Sequence, residues 1–249
     1  SDGMLGLSVP AHNIEKNFKP AAKKALLKLM EKTGIPNLIP PHIITRSLSS
    51  VSDAAKYLDT YAKSHDADLI VVASHARKGL SRFLLGSFAE TLLAKSKTPV
   101  LVVGPESAKT SIKHIIFPTD FSKGYEGIFA RVVTLAKDLR ANIVVMSAIP
   151  YPGDPVMQSG FFLMGGGWLP VDRHIDELTA NNQKKAKALV ATAKRSGVSA
   201  KVIVEPWSSS ATDAVLKQVK KQKSDLVAMA AQSTSVSAAL LGSVTRQVI

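Results

Sequence analysis

The chain has 249 residues, 45% hydrophobic and 20% charged, with no cysteine and a formal net charge of +13 from 32 basic and 19 acidic side chains. That is enough apolar material for one large domain or two of ordinary size, and it argues against disorder; disulfides and thiolate metal sites are excluded. The longest uncharged apolar stretch, GFFLMGGGWLPV from Gly160 to Val171, carries three consecutive glycines and is shorter than the roughly 20 residues a membrane helix needs.

In chain order, a loop-like SDGMLGLSVPAHN leads into a long amphipathic helix from Ile14 to Lys32. A strand PHIITRS, a helix SDAAKYLDTYAKSH and an apolar strand ADLIVVAS follow, the last spanning Ala67 to Ser74. The stretch SHARKGLSRFLLGS, Ser74 to Ser87, joins that strand to a helix FAETLLAKSK, and TPVLVVGP closes the first half. ESAKTS, Glu106 to Ser111, reads as a linker. The second half opens with a strand IKHIIFPTD, a helix YEGIFARVVTLAKDL from Tyr125 to Leu139 and a strand ANIVVMSAI. Next come a glycine-rich segment from Pro150 to Val171 and a long helix from about Ile175 to Arg195, with Leu178, Ala186, Leu189, Val190 and Ala193 on one apolar side. A strand AKVIVEP, a helix ATDAVLKQVKKQK, a strand SDLVAMAA and finally ALLGSVTRQVI complete the chain.

The sequence repeats itself. ADLIVVAS matches SDLVAMAA, and FLLGSFAETLL matches ALLGSVTRQVI; the preceding helices and strands match in order. Strands alternating with helices imply an α/β fold with parallel sheets covered on both faces. The reading is two similar domains, residues 1–105 and 111–249, each an open parallel five-stranded sheet flanked by helices. The first lacks its opening strands and the second its last, so residues are expected to be missing at both ends.

In such a sheet ligands sit beyond the carboxyl ends of the strands, where strand order reverses. Two loops fall there. In FPTDFS, Phe117 to Ser122, Pro118 ends a strand and Asp120 can accept hydrogen bonds from hydroxyls or amides. Asp120 can equally be a turn residue or the cap of the following helix. In the loop ending Leu-Leu-Gly-Ser, glycine permits close backbone approach and serine sits at a helix N-terminus, where free amides attract anions. Ser87 with Glu90 also reads as a capping box, a purely structural role; Ser243 is followed by Arg246 and forms none. The six histidines have no metal-ligand spacing, and His75 reads as a solvated loop residue. No catalytic constellation is evident, so an enzyme is not expected. The lysine-rich helices read as solvated faces or a polyanion surface; no aromatics interleave with them, which makes nucleic acid the lesser reading.

FPTDFS, SHARKGLSRFLLGSFAETLLAKSKTPVLVV and LLGSVTRQVI resemble the universal stress protein family in its tandem form, over nearly the whole chain. The resemblance implies a cytoplasmic, non-catalytic regulatory protein with an adenine-nucleotide cleft, no required cofactor, and ATP, ADP or AMP as ligand. It also implies domains paired as an intramolecular pseudo-dimer through TPVLVVGP, with homo-oligomers as a further possibility. The family loop Gly-x2-Gly-x9-Gly-Ser/Thr falls on Ala73, Ala76, Gly86 and Ser87 in the first half. In the second half it falls on Ala230, Ser233, Gly242 and Ser243, one residue shorter. Pro118, Thr119, Asp120, Val244 and Thr245 fit the binding pattern. Both halves thus lack the early glycines. A Cβ at a close-approach position costs on the order of 1 kcal/mol or displaces the phosphate. Arg77, Lys78 and Arg82 are candidates to compensate by direct charge contact in the first half only. The expectation is a degenerate, asymmetric pair of sites, the alternative a scaffold that binds no nucleotide and works through protein or polyanion contacts. The segment Pro150–Val171, with Phe161, Phe162 and Trp168, is expected to cover the cleft, contact another subunit or fold onto its own domain.

Overall fold

The structure, a computed structural model, describes residues 11–44, 50–74, 86–104, 111–150, 171–231 and 242–248. The chain divides into two compact units, Ser1–Ala54 and Ala55–Ile249. The first unit contains α1 (Ala11–Thr33), with Pro20 inside it and Gly34 just past its end at φ +63°. That left-handed glycine is the usual stop for a helix, because it carries no Cβ to clash. Residues 34–44 then run without regular structure. The start of the expected strand PHIITRS is therefore irregular, and its last residues lie outside the described set. Pro40 and Pro41 immediately precede His42, and each withholds a backbone donor that a ladder would use.

A helix α2 (Val51–Ser64) leads from the first unit into the second. It is followed by β1 (Ile70–Ala73), α3 (Ser87–Lys95) and β2 (Val100–Val103). β1 and β2 pair in parallel, Ile70 opposite Val100 through Ala73 opposite Val103. Ala55, Ala62, Ile70 and Leu92 form the core beneath them.

Beyond them lie β3 (His114–Pro118), α4 (Tyr125–Leu139), β4 (Asn142–Pro150) and α5 (Val171–Arg195). β5 (Ala200–Ser208), α6 (Ala211–Lys221), β6 (Leu226–Val227) and α7 (Ser243–Val248) complete the described chain. Their strands make a parallel sheet in the order β5-β4-β3-β6. Both faces are buried, as the continuous apolar runs demand. Ile115, Phe117, Ile143 and Val145 point into a core with α4 and α5, whereas Ile116, Val144 and Met146 point into a second core with Ala214 and Val215 of α6. Side chains on a strand alternate between faces, so one short run serves both layers. β6 is shorter than SDLVAMAA suggested, since only Leu226 and Val227 pair, with Ile115 and Ile116.

β5 is the outer strand on its side of the described sheet. Pro206 interrupts its donors, Lys201 is exposed on it, and the register slips between Ala148 and Pro150 opposite its end. There Trp207 adopts a left-handed backbone at φ +58°.

The repeat extends to helix starts. Ser50 Oγ accepts the N–H of Asp53 at 3.1 Å and donates to its carboxylate at 2.8 Å; Ser210 does the same with Asp213 at 3.0 and 2.7 Å. These caps explain why α2 and α6 begin where they do. A third polar feature is buried in the first sheet. Asp59 of α2 is 8% exposed and accepts from Ser96 Oγ at 2.8 Å, Lys97 N at 3.0 Å, Thr98 N at 3.1 Å and the Lys63 ammonium. Burial pushes its carboxyl upward, but these donors outweigh burial and hold it well below the usual carboxylate range.

Two predictions follow from these contacts. Ser210→Ala should lower stability in urea unfolding by about 1 kcal/mol, while Ser209→Ala, on the exposed flank, should change it by roughly half a kcal/mol or less. Asp59 has a depressed folded pKa, so its stabilisation is complete above its unfolded value near pH ~4 and is lost as pH falls further. The thermal midpoint of the wild type should therefore drop more steeply below pH ~4 than that of Asp59→Asn, as measured by circular dichroism melts.

Candidate functional site

The strand order decides where a site can form. From β3 the chain steps outward to β4 and β5, then crosses back to place β6 on the other edge of β3. Connections therefore leave the carboxyl ends of β3 and β6 in opposite directions, and a crevice opens between them. A cavity of about 130 Å³ lies there. Its walls include Pro118, Thr119 and Asp120 from the end of β3, Met229 and Ala230 from the end of β6, and Gly242, Val244 and Thr245 around the start of α7. Ser122, Tyr125 and Ile128, with Met146, Ala148, Ala211 and Val215, complete it.

The loop after β3 is built from its own side chains. Thr119 Oγ1 accepts the N–H of Phe121 at 3.0 Å, and Asp120 Oδ1 accepts the N–H of Ser122 at 2.9 Å. These two short turns carry Phe121 into a left-handed backbone at φ +57°. Its ring is buried against Tyr125 at 5.3 Å between centroids, and the Lys185 ammonium lies 5.7 Å from its centre. α4 begins at Gly124, itself at φ +90°. Asp120 is thus a turn residue, and the alternative that it caps the next helix is corrected: the cap position belongs to Gly124, with no side-chain hydrogen bond. Asp120 Oδ2 accepts no hydrogen bond from the described residues and remains available at the cavity wall.

On the opposite wall, Thr245 is 4% exposed and donates its hydroxyl to the Ala230 carbonyl at 3.3 Å. Gly242 donates its N–H to the Ala231 carbonyl at 3.0 Å. These bonds lock the start of α7 onto the end of β6. Thr212 adds a bond from α6, its hydroxyl donating to Gln247 Oε1 at 2.7 Å. A Cβ at Gly242 would meet nothing closer than the Ala231 carbonyl oxygen at 3.4 Å, an ordinary contact. The protein's own packing does not require glycine there.

The expected second-half residues therefore gather around one cavity, except two. Ser233 lies outside the described residues, and Ser243 is placed by its backbone alone, at the first position of α7. In the first half Ala73 ends β1, while Gly86 and Ser87 open α3. Ala76, Arg77, Lys78, Arg82 and His75 lie outside the described residues, as does 151–170 of the glycine-rich segment. One expectation is corrected here. Ser87 and Glu90 form no capping box, because Gly86 holds the cap position and makes no side-chain bond; Ser87 is already helical. The box pattern was set one residue too late. Sequence reasoning also missed Tyr125, Met146, Met229 and Val215 as wall residues. Met146 carried a usable signal, for its alternation along β4 places it on the α6 face near the strand's end.

Among the described residues no group of histidines and carboxylates is placed to hold a metal ion, and no helix is long and apolar enough to cross a membrane.

Comparison with known proteins agrees with the architecture. A universal stress protein from Methanocaldococcus jannaschii is 37% identical over 82 residues, covering 33% of this chain and 44% of its own length. The chain thus spans less than half of that relative. Among solved structures, a universal stress protein from Archaeoglobus fulgidus superposes with a TM-score of 0.59 at 18% identity, covering 98% of this chain and 77% of that one. A putative universal stress protein from Pseudomonas aeruginosa gives 0.57 at 17% identity, covering 92% and 73%. At these identities the structures speak for the fold alone. The family model described as the universal stress protein family matches twice, at residues 17–104 and 111–249. With two matches over most of its length, this chain belongs to the universal stress protein family, in tandem arrangement.

Proposed function

We propose that the protein is a non-catalytic stress-response regulator whose second half holds an adenine-nucleotide-type cleft, with the phosphate loop degenerate in both halves. The observation that carries this reading is the convergence of Pro118, Thr119 and Asp120 with Ala230, Gly242, Val244 and Thr245 on one cavity where strand order reverses. Gly242 supports it: the chain's own packing leaves room for a side chain, so its absence keeps space for something else. Asp120 presents a carboxylate oxygen to the cavity and suits the amino or hydroxyl groups of a nucleoside. Apolar Met146, Met229, Val215 and Val244 suit the faces of a planar ring. The described walls place no histidine in the cavity, and their one carboxylate is tied into a turn, so no side chain there is set to activate a water. Degeneracy is read from the sequence, where Ala230 and Ser233 replace the motif's early glycines.

The two halves are proposed to pair with one another. Arg131 of α4 supports this, reaching the Lys97 carbonyl beside β2 at 3.5 Å. The alternative, a scaffold without nucleotide, is favoured by cavity size. The described walls enclose about 130 Å³, whereas sites for drug-sized ligands span roughly 300–1,000 Å³.

The two readings separate in a thermal-shift panel of adenine, guanine and uracil nucleosides and nucleotides on the intact chain. At least one adenine compound should raise the midpoint by several degrees, and Asp120→Ala should reduce that rise. No response to any adenine compound would leave the scaffold reading standing. Mass spectrometry of small molecules released from the purified protein gives an independent check.

A further inference from the structure

On a protein of net charge +13, the rim of the second-half cleft is almost without cations. By sequence, the connections leaving the carboxyl ends of β3, β4, β5 and β6 are residues 119–124, 151–170, 209–210 and 228–242. Together they contain one basic residue, Lys123, against Asp120 and Asp154. Lys123 is exposed and is not among the cavity's walls. Of the described wall residues only Asp120 is charged. The lysines are elsewhere, for example Lys217, Lys220 and Lys221 on the exposed side of α6 and Lys184, Lys187 and Lys194 on α5.

A protein holds phosphates by cations or by backbone amides that approach closely. The first means is missing at this rim. The second is weakened, because the stretch from Ala228 to Gly242 has glycine only at its end. Asp120 adds an opposing charge: its free carboxylate oxygen attracts hydroxyl and amino donors and repels phosphate oxygens in a half-enclosed site. The first half differs, since its corresponding loop carries Arg77, Lys78 and Arg82.

We infer that the second-half cleft takes a phosphate-free nucleoside rather than a nucleoside phosphate. This rests on the cleft reading proposed above. The base would lie among the apolar walls, with an amino or ribose hydroxyl group donating to Asp120. The two halves are then specialised for different members of one chemical series, so that the ratio of nucleoside to nucleotide, and not the level of either alone, sets which half is occupied.

The test is titration calorimetry of adenosine, AMP and ATP on the intact chain carrying Arg77→Ala, Lys78→Ala and Arg82→Ala, which removes the first half's candidate phosphate contacts. Adenosine should bind at least about tenfold more tightly than ATP. In the same background Asp120→Asn keeps the oxygen that Ser122 N–H needs, so the turn should survive, as near-ultraviolet circular dichroism would verify. There adenosine should weaken while ATP does not. ATP binding as tightly as adenosine in the triple variant would overturn the inference and leave the cleft reading intact. An equal loss of both ligands in Asp120→Asn would also overturn it. If no member of the series binds, the cleft reading itself fails and takes this inference with it.

Discussion

Pairing of β3 on both edges governs the second half. β4 holds one edge along the whole strand, and β6 holds the other through two residues. So short a ladder needs help, and Asp225 supplies it: its carboxylate accepts the N–H groups of Lys113 and His114 at 2.9 and 3.0 Å. Charge-assisted bonds of this kind are worth more than neutral ones. The clamp fixes where β3 starts, and therefore the level at which it ends. Were β3 to slide by one residue, Ile115 and Ile116 would exchange faces, and the two cores would each receive the wrong side chains. Asp120 would leave the crevice with them. Core and site are thus set by one register.

The turn after β3 shows how the cleft wall is made rigid without contact from the rest of the chain. A non-glycine residue in the left-handed region costs roughly 1–2 kcal/mol. Phe121 offsets this by burying its ring against Tyr125 and beneath Lys185. Two side-chain acceptors, Thr119 Oγ1 and Asp120 Oδ1, satisfy the amides that the turn would otherwise leave open. The expense is half of Asp120's bonding capacity, and the oxygen left over is the one at the cavity.

Much of this was legible in the sequence, for identifiable reasons. The helix over Tyr125–Leu139 has the bounds its apolar spacing suggested, and the repeat located both halves. Period and repetition are properties of whole segments, so single substitutions do not hide them. What could not be read were features resting on one residue's neighbours. Ser87 and Ser210 both precede acidic residues by three, yet only Ser210 caps a helix, because Gly86 takes the cap position ahead of Ser87. The weak pairing of PHIITRS depends on a ladder partner that no local pattern reveals. The four ligands of Asp59 come from a turn nearly forty residues away, and the sequence shows only an aspartate in a helix.

The end of β5 has a consequence for how the molecule behaves in a crowded solution. A nine-residue strand at a sheet border is a template for runaway stacking of like chains. Here a missing donor at Pro206, a charge at Lys201, a slipped register and the reversed backbone at Trp207 break that template along its length. Growth of the sheet across this border is blocked by geometry rather than by cover from another element. A protein made in quantity under stress, when partly unfolded chains abound, would otherwise seed their deposition; this border lets it accumulate without becoming a nucleus.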